Sequence, residues 1–99
     1  MSYFAICTFD LVNCGYEDYQ KAYDDLVKIG FKRDITANDG SIVRLPTTTT
    51  AGEFNGESVE QIRNNLSDKV ENAFSARGFK SEIFISVSGN WAWSRRITK

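Results

Sequence analysis

Apolar positions divide the chain into two helical segments and several extended ones. Tyr3–Phe9 is apolar on both alternating faces, which is typical of a central strand covered on two sides. Two later segments carry apolar residues at helical spacing and predict amphipathic helices. These residues are Tyr19, Tyr23, Leu26 and Val27 in the first helix, and Val59, Ile62, Leu66, Val70, Ala73 and Phe74 in the second.

The predicted helices share an ending. Gly30-Phe31 and Gly78-Phe79 each place a glycine after the last turn and a phenylalanine after it, as in a Schellman ending. The second helix also has a recognisable start, because Ser58 is followed three residues later by Gln61 in a capping-box pattern.

The remaining segments predict strands and turns. Lys32–Thr36 and Ser41–Leu45 favour two short strands joined by a turn at residues 38–40, and Glu82–Ser88 alternates as a further strand. The threonine run Thr47–Thr50 is typical of an edge extension or a loop. Trp91–Trp93 could add a short fifth strand at the C-terminal end.

This order of elements predicts one α+β domain over residues 1–99. Two βαβ units would give a ferredoxin-like βαββαβ sandwich, with an antiparallel sheet and both helices on one face. The other face of the sheet would then be open in a monomer. Because the first strand is apolar on both sides, we expect a second copy to cover that face and the chain to be a homodimer.

The charge and hydropathy of the chain narrow the function classes. The net charge is −1, with a pI near 5.3, which disfavours strong sequence-independent nucleic-acid binding. The C-terminal end is nevertheless basic, since Arg95, Arg96 and Lys99 lie there. No apolar run approaches the ~20 residues that cross a bilayer, and no signal peptide is recognisable, so we expect a soluble cytoplasmic protein without membrane contact.

The chain lacks the residues that several kinds of catalytic site require. The chain has no histidine, which excludes a Ser-His-Asp triad, a histidine-ligated zinc and an imidazole base. Two cysteines, Cys7 and Cys14, cannot form a four-cysteine site. Asp10 remains, at the end of the first strand, as a candidate ligand for a divalent metal. From the residues alone, the alternative is that Asp10 ends the strand and hydrogen-bonds the following loop.

Aromatic and basic residues are interleaved near the C-terminus. Trp91 and Trp93 with Arg95 and Arg96 place stacking surfaces beside cations, a combination that suits single-stranded nucleic acid or a protein partner. The alternative is that the two indoles close one edge of the core.

Parts of this chain resemble a known family. Phe9-Asp10-Leu11, followed by Asp18-Tyr19 and by Gly89-Asn90-Trp91-Ala92, is similar to the CRISPR-associated endoribonuclease of spacer acquisition and its stand-alone relatives. The resemblance implies a ferredoxin-like fold and a homodimer that exchanges a C-terminal strand. It also implies that Asp10 is the catalytic residue and binds a divalent metal ion, which would be Mg²⁺ if the protein is a nuclease.

The chain departs from that family in its loops. Asn13, Cys14 and Gly15 follow Asp10, where the nucleases tend to carry basic residues. The sequence therefore favours a small dimeric interaction protein that binds a macromolecule, either nucleic acid or a protein complex. Two alternatives stay open: a metal-dependent endonuclease using Asp10 at the dimer axis, and an inhibitor from a phage or mobile element that acts against host defence.

Overall fold

A computed structural model describes all residues, 1–99, and shows an α+β protein. The chain has two helices and five strands, and three of the strands lie between the helices. No helix combines the length and apolar character that a membrane crossing requires. The elements are β1 Ser2–Leu11, α1 Tyr16–Ile29, β2 Asp34–Thr36, β3 Ile42–Arg44, β4 Thr49–Asn55, α2 Val59–Ala76 and β5 Ser81–Ser88.

The main sheet has three strands in the order β4-β1-β5, and β1 pairs antiparallel with both neighbours. β2 and β3 form a separate hairpin. One isolated bridge joins this part of the chain to the main sheet: the amides of Lys32 and Ala51 donate to each other's carbonyl oxygens at 2.8 and 2.9 Å. The hairpin therefore lies beyond β4, on the side away from β1.

The core lies between one face of the main sheet and the two helices. Alternate residues of β1 point into it, and the buried residues of α2 are those that its helical spacing predicts. Val27 of α1 is an exception, because it is 53% exposed and does not belong to the buried stripe that we predicted. The core residues are Tyr3, Ala5, Cys7, Phe9, Leu11, Ala22, Tyr23, Leu26, Phe31, Ile62, Leu66, Val70 and Phe74.

Both predicted helix endings are confirmed. Gly30 has φ 120° and Gly78 has φ 77°, and the amides of Phe31 and Phe79 donate to the carbonyls of Leu26 and Phe74 at 2.8 and 3.1 Å. The amide of Gly30 donates to the Val27 carbonyl and the amide of Gly78 donates to the Ser75 carbonyl, which completes the Schellman pattern at each end.

The start of α2 differs in detail from the predicted capping box. Ser58 Oγ accepts from the amide of Gln61 at 3.1 Å, as expected. The Gln61 side chain, however, accepts from the amide of Glu57 at 2.8 Å, one residue before the N-cap. The two bonds still satisfy one donor on each side of Ser58.

The threonine run is divided between a loop and a strand, as its sequence allows. Thr47 and Thr48 precede β4, whereas Thr49 and Thr50 begin it. β4 is an outer strand of the main sheet, runs to Asn55 and pairs with β1 from Ser2 to Thr8. Its sequence is unlike an alternating strand because Gly52 must lie against α1: an added Cβ would come within 2.2 Å of the Gly30 carbonyl oxygen. Thr50 is fully buried, and its hydroxyl donates to the Cys7 carbonyl.

The predicted fifth strand at Trp91–Trp93 does not form. Residues after Asn90 adopt no regular structure, because Trp91 stacks on Phe4 over the sheet face instead of pairing at an edge. The predicted strands Lys32–Thr36 and Ser41–Leu45 are shorter than expected and form the β2–β3 hairpin, in which Asp34 pairs with Arg44. That ion pair holds the pKa of the Asp34 carboxyl below its usual range.

Replacing the terminal glycines with alanine tests the helix ends. Gly78→Ala should lower the free energy of unfolding by about 1 kcal/mol, because a side chain with positive φ is strained. Gly30→Ala should lower it further, since its Cβ would come within 2.8 Å of Phe54 Cε1. Urea midpoints provide the measurement.

Gly15 supplies the matched control for that experiment. It is the N-cap of α1, with φ −101° and no atom within 4 Å of an added Cβ. Gly15→Ser should therefore leave the urea midpoint unchanged or raise it slightly. Stabilisation by both Gly30→Ala and Gly78→Ala would contradict the assigned endings.

Candidate functional site

The main sheet has one open face, on the side away from the helices. Even-numbered residues of β1 and β5 point to it, because the odd-numbered ones enter the core. Phe84 is 66% exposed there. Phe4 lies on the same face but is only 8% exposed, because the Trp91 ring stacks on it with centroids 5.5 Å apart and planes inclined by 16°.

A groove with a volume of about 960 Å³ lies between the chain after Asn90 and the β2–β3 hairpin. Aromatic rings of Phe4, Trp91 and Trp93 form one part of it. Charged side chains form another, namely Lys32, Asp34 and Glu53. Trp93 remains 37% exposed, so the groove presents an apolar surface to solvent.

The structure brings together only part of the predicted binding set. Trp91 and Trp93 line the groove, whereas Arg95 and Arg96 are exposed beyond it and take part in none of the ion pairs. Neither indole belongs to the buried core. Trp91 instead covers Phe4 on the face of the sheet opposite the core. It is therefore neither a fully free stacking surface nor a residue that closes the edge of the core. The groove residues Lys32, Asp34 and Glu53 were not predicted, because contacts between distant segments place them there. The β1–β4 register sets Glu53 opposite Phe4, and the Lys32–Ala51 bridge brings Lys32 and Asp34 to the same side.

Asp10 lies at the other end of β1 and is exposed on the open face. Its direct partner across the ladder is Glu82 of β5, a residue that sequence reasoning missed. A shallow hollow of about 320 Å³ contains both carboxylates together with Thr8, Thr48 and Phe84. No group of three or more histidine, cysteine, aspartate or glutamate side chains is close enough together to hold a metal ion.

The two candidate sites are separate. Asp10 lies six positions along β1 from Phe4, and a strand rises about 3.3 Å per residue, so about 20 Å separates them. A ligand in the aromatic groove would therefore not contact the Asp10–Glu82 pair unless it were an extended chain.

The cysteines provide no reactive nucleophile. Cys7 is buried in the core, and burial raises the pKa of its thiol to about 12. Loss of solvation also raises the pKa of Cys14, and the neighbouring Asp18 carboxylate adds to the effect. Both thiols are therefore less readily ionised than a free cysteine.

The chain fits no protein-family model, and no curated protein matches it.

Removing the Asp10 charge tests whether a cation occupies the hollow. Like charges directly opposite in a sheet repel, so Asp10→Asn in metal-free buffer should raise the free energy of unfolding by about 0.2–1 kcal/mol. If Mg²⁺ binds the pair, millimolar Mg²⁺ should raise the melting temperature of the native chain and not that of the variant.

An exposed aspartate on α2, Asp68, gives the control. Asp68→Asn should leave the response to Mg²⁺ as in the native chain, because no acidic partner faces it across a ladder. A melting temperature that Mg²⁺ changes equally in all three proteins would show that the effect is general and not bound to Asp10.

Proposed function

We propose that this chain is a small homodimeric interaction protein that binds a protein partner through the aromatic groove at Phe4, Trp91 and Trp93. The observation that carries the proposal is the stacked Trp91 beside a half-exposed Trp93, over a groove large enough for several side chains of another molecule. Tryptophan is prominent among the residues that dominate the energy of protein interfaces.

The charges of the groove favour a protein over a nucleic acid. The lining contains Lys32 and Glu53, whose charges cancel, and Asp34, whose charge Arg44 neutralises, so the groove carries no excess of positive charge. A surface that follows a phosphate backbone requires a clear excess of cations. Arg95 and Arg96 are exposed in the segment that follows Trp93, where they would suit acidic groups on the same protein partner.

A ferredoxin-like architecture is part of the proposal. The strand order β4-β1-β5 places the first strand at the centre, and the Lys32–Ala51 bridge lies where the remaining edge strand of that fold would pair. The β2–β3 hairpin then corresponds to an insertion before β4. This arrangement supports a relationship to the CRISPR-associated endoribonuclease-like proteins, whose fold can persist without their activity.

A second candidate function is metal-dependent endonuclease activity at Asp10. The observation in its favour is the opposition of Asp10 and Glu82, since a bound Mg²⁺ would neutralise two adjacent carboxylates. The pair would supply oxygen ligands and position the ion at the rim of the sheet, and the ion would activate a water or stabilise the leaving oxygen. The groove would then hold part of the nucleic acid.

Affinity capture from the native host tests the groove. In nuclease-treated lysate, the native chain should retain a protein partner, and the double variant Trp91→Ala/Trp93→Ala should lose about tenfold or more of it. Ile97→Ala is the matched control, because Ile97 is 67% exposed in the same terminal segment but does not line the groove. It should retain the partner as the native chain does.

Two outcomes would contradict this function. Equal retention by the double variant would remove the groove from the interaction. Nucleic acid recovered from untreated lysate, with no protein, would favour the second candidate. That candidate in turn requires cleavage in Mg²⁺ or Mn²⁺ that both a chelator and Asp10→Asn abolish, while the variant stays folded and unfolds at no lower a temperature than the native chain.

A further inference from the structure

The outer edge of β5 carries unpaired backbone groups in a regular row. The amide of Val12 donates to the Lys80 carbonyl at 2.8 Å, and the amide of Phe9 donates to Thr48 at 3.2 Å. In an antiparallel ladder these bonded positions alternate, so even-numbered residues of β1 and β5 bond each other. The N–H and C=O groups of Ser81, Ile83, Ile85 and Val87 therefore point away from the sheet.

No strand pairs with this edge, and no bulge interrupts it. β5 pairs with β1 alone, and the register runs without a bulge from Ser88 opposite Phe4 to Ser81 opposite Leu11. The strand has no proline and no lysine, which are common protections of free edges. Trp91 and Trp93 do not shield it either, because they line the groove beside β4 and the β2–β3 hairpin.

We propose that β5 pairs antiparallel with β5 of a second copy, about a two-fold axis at Phe84. The inference rests on the proposed homodimer and names its interface. The three strands of each copy would join in one continuous sheet. A two-fold axis requires a self-complementary surface, and an antiparallel strand edge can meet this requirement with its own copy.

In one register, the backbone N–H and C=O groups of all four outward-facing residues form hydrogen bonds with the second copy. With Phe84 opposite Phe84, Ser81 lies opposite Val87 of the second copy and Ile83 lies opposite Ile85, and each such pair exchanges two hydrogen bonds. About eight new bonds would form across the axis. A shift by two residues in either direction leaves an outward-facing residue at one end of each strand without a bonded partner from β5.

Side chains on the open face agree with this register. The two Phe84 rings, each 66% exposed in one copy, would face each other as a close non-bonded pair. Glu82, the one charged residue of β5, would lie opposite the neutral Ser86 of the second copy. A register that set Glu82 against Glu82 would instead place like charges together.

This dimer separates the two Asp10 residues. Each lies one strand inward from the interface, so three strand spacings, about 14 Å, divide them laterally. Their partners Glu82 are four positions apart along the paired strands, or about 13 Å, which gives about 20 Å in total. One ion cannot bridge that distance, so the β5 dimer excludes a metal site shared between two copies at Asp10.

Cysteine cross-linking tests the register. In a Cys14→Ser background, Phe84→Cys should form a disulfide-linked dimer under mild oxidation, since directly opposite non-bonded residues have Cα atoms within disulfide reach. Ser86→Cys is the control on the same face and should stay uncrosslinked alone, yet link to Glu82→Cys when the two are mixed. Buried Cys7, with its raised pKa, should not compete.

A second measurement avoids oxidation. Phe84→Lys should weaken the dimer about tenfold or more in sedimentation equilibrium, by removing the ring pair and opposing two cations. Ser86→Lys should strengthen it, because the new cation meets Glu82 of the other copy. Circular dichroism of both variants should match the native chain, because each residue is exposed in the monomer.

Each outcome has a defined meaning. Linked Phe84→Cys with opposite effects of the two lysines supports the interface. A chain that stays monomeric at tens of micromolar overturns it together with the proposed homodimer. A dimer that Phe84→Lys leaves intact, with no Phe84→Cys link, overturns only the β5 interface. Partner capture by the groove is measured independently, so its failure would not mimic either result.

Discussion

The pairing of β1 on both of its edges is the constraint on which the rest of the structure depends. β4 and β5 both use β1 as their partner, and its odd-numbered residues supply one wall of the core against the helices. Phe9 illustrates the concentration of contacts, because its ring meets those of Tyr19, Tyr23 and Phe74 within 6.0 Å. Loss of β1 would therefore remove both strand ladders and the sheet residues against which the helices pack.

The helices are held onto this sheet by their ends as well as their apolar faces. Gly30 lets α1 stop where β4 passes closely beneath it, and Gly52 on β4 makes the complementary space. On the other side, Arg77 after α2 donates two hydrogen bonds to Asp25 of α1, at 2.6 and 2.8 Å. This forked pair is partly shielded from solvent and fixes the two helices relative to each other.

Because the core covers only one face of the sheet, two surfaces remain without a partner: the apolar open face and the unpaired backbone edge of β5. The open face is apolar at Phe4, which the chain covers with its own Trp91, and at Phe84, which it leaves exposed. The outer edge of β5 is unsatisfied in its backbone. Because the apolar Phe84 lies on the same strand as that free edge, one contact with a second copy would cover both, which is the physical basis for proposing a dimer at β5. In that dimer, the groove at Trp93 would stay exposed to solvent.

The sequence by itself determined those features that depend on local spacing. Helical periodicity located both helices, the Gly-Phe pairs located their ends, and the doubly apolar Tyr3–Phe9 run identified the central strand. Asp10 was located at a strand end from the same reasoning. Tertiary structure decided the features that depend on partners distant in the chain. β4 is a strand because β1 offers it a ladder, although its Thr-Thr-Ala-Gly sequence carries no alternating pattern. Glu82 faces Asp10, and Trp91 covers Phe4, only because the register of β5 and the path after it bring them together. Local spacing cannot encode such pairs, because their distance in space is set by which strands share an edge.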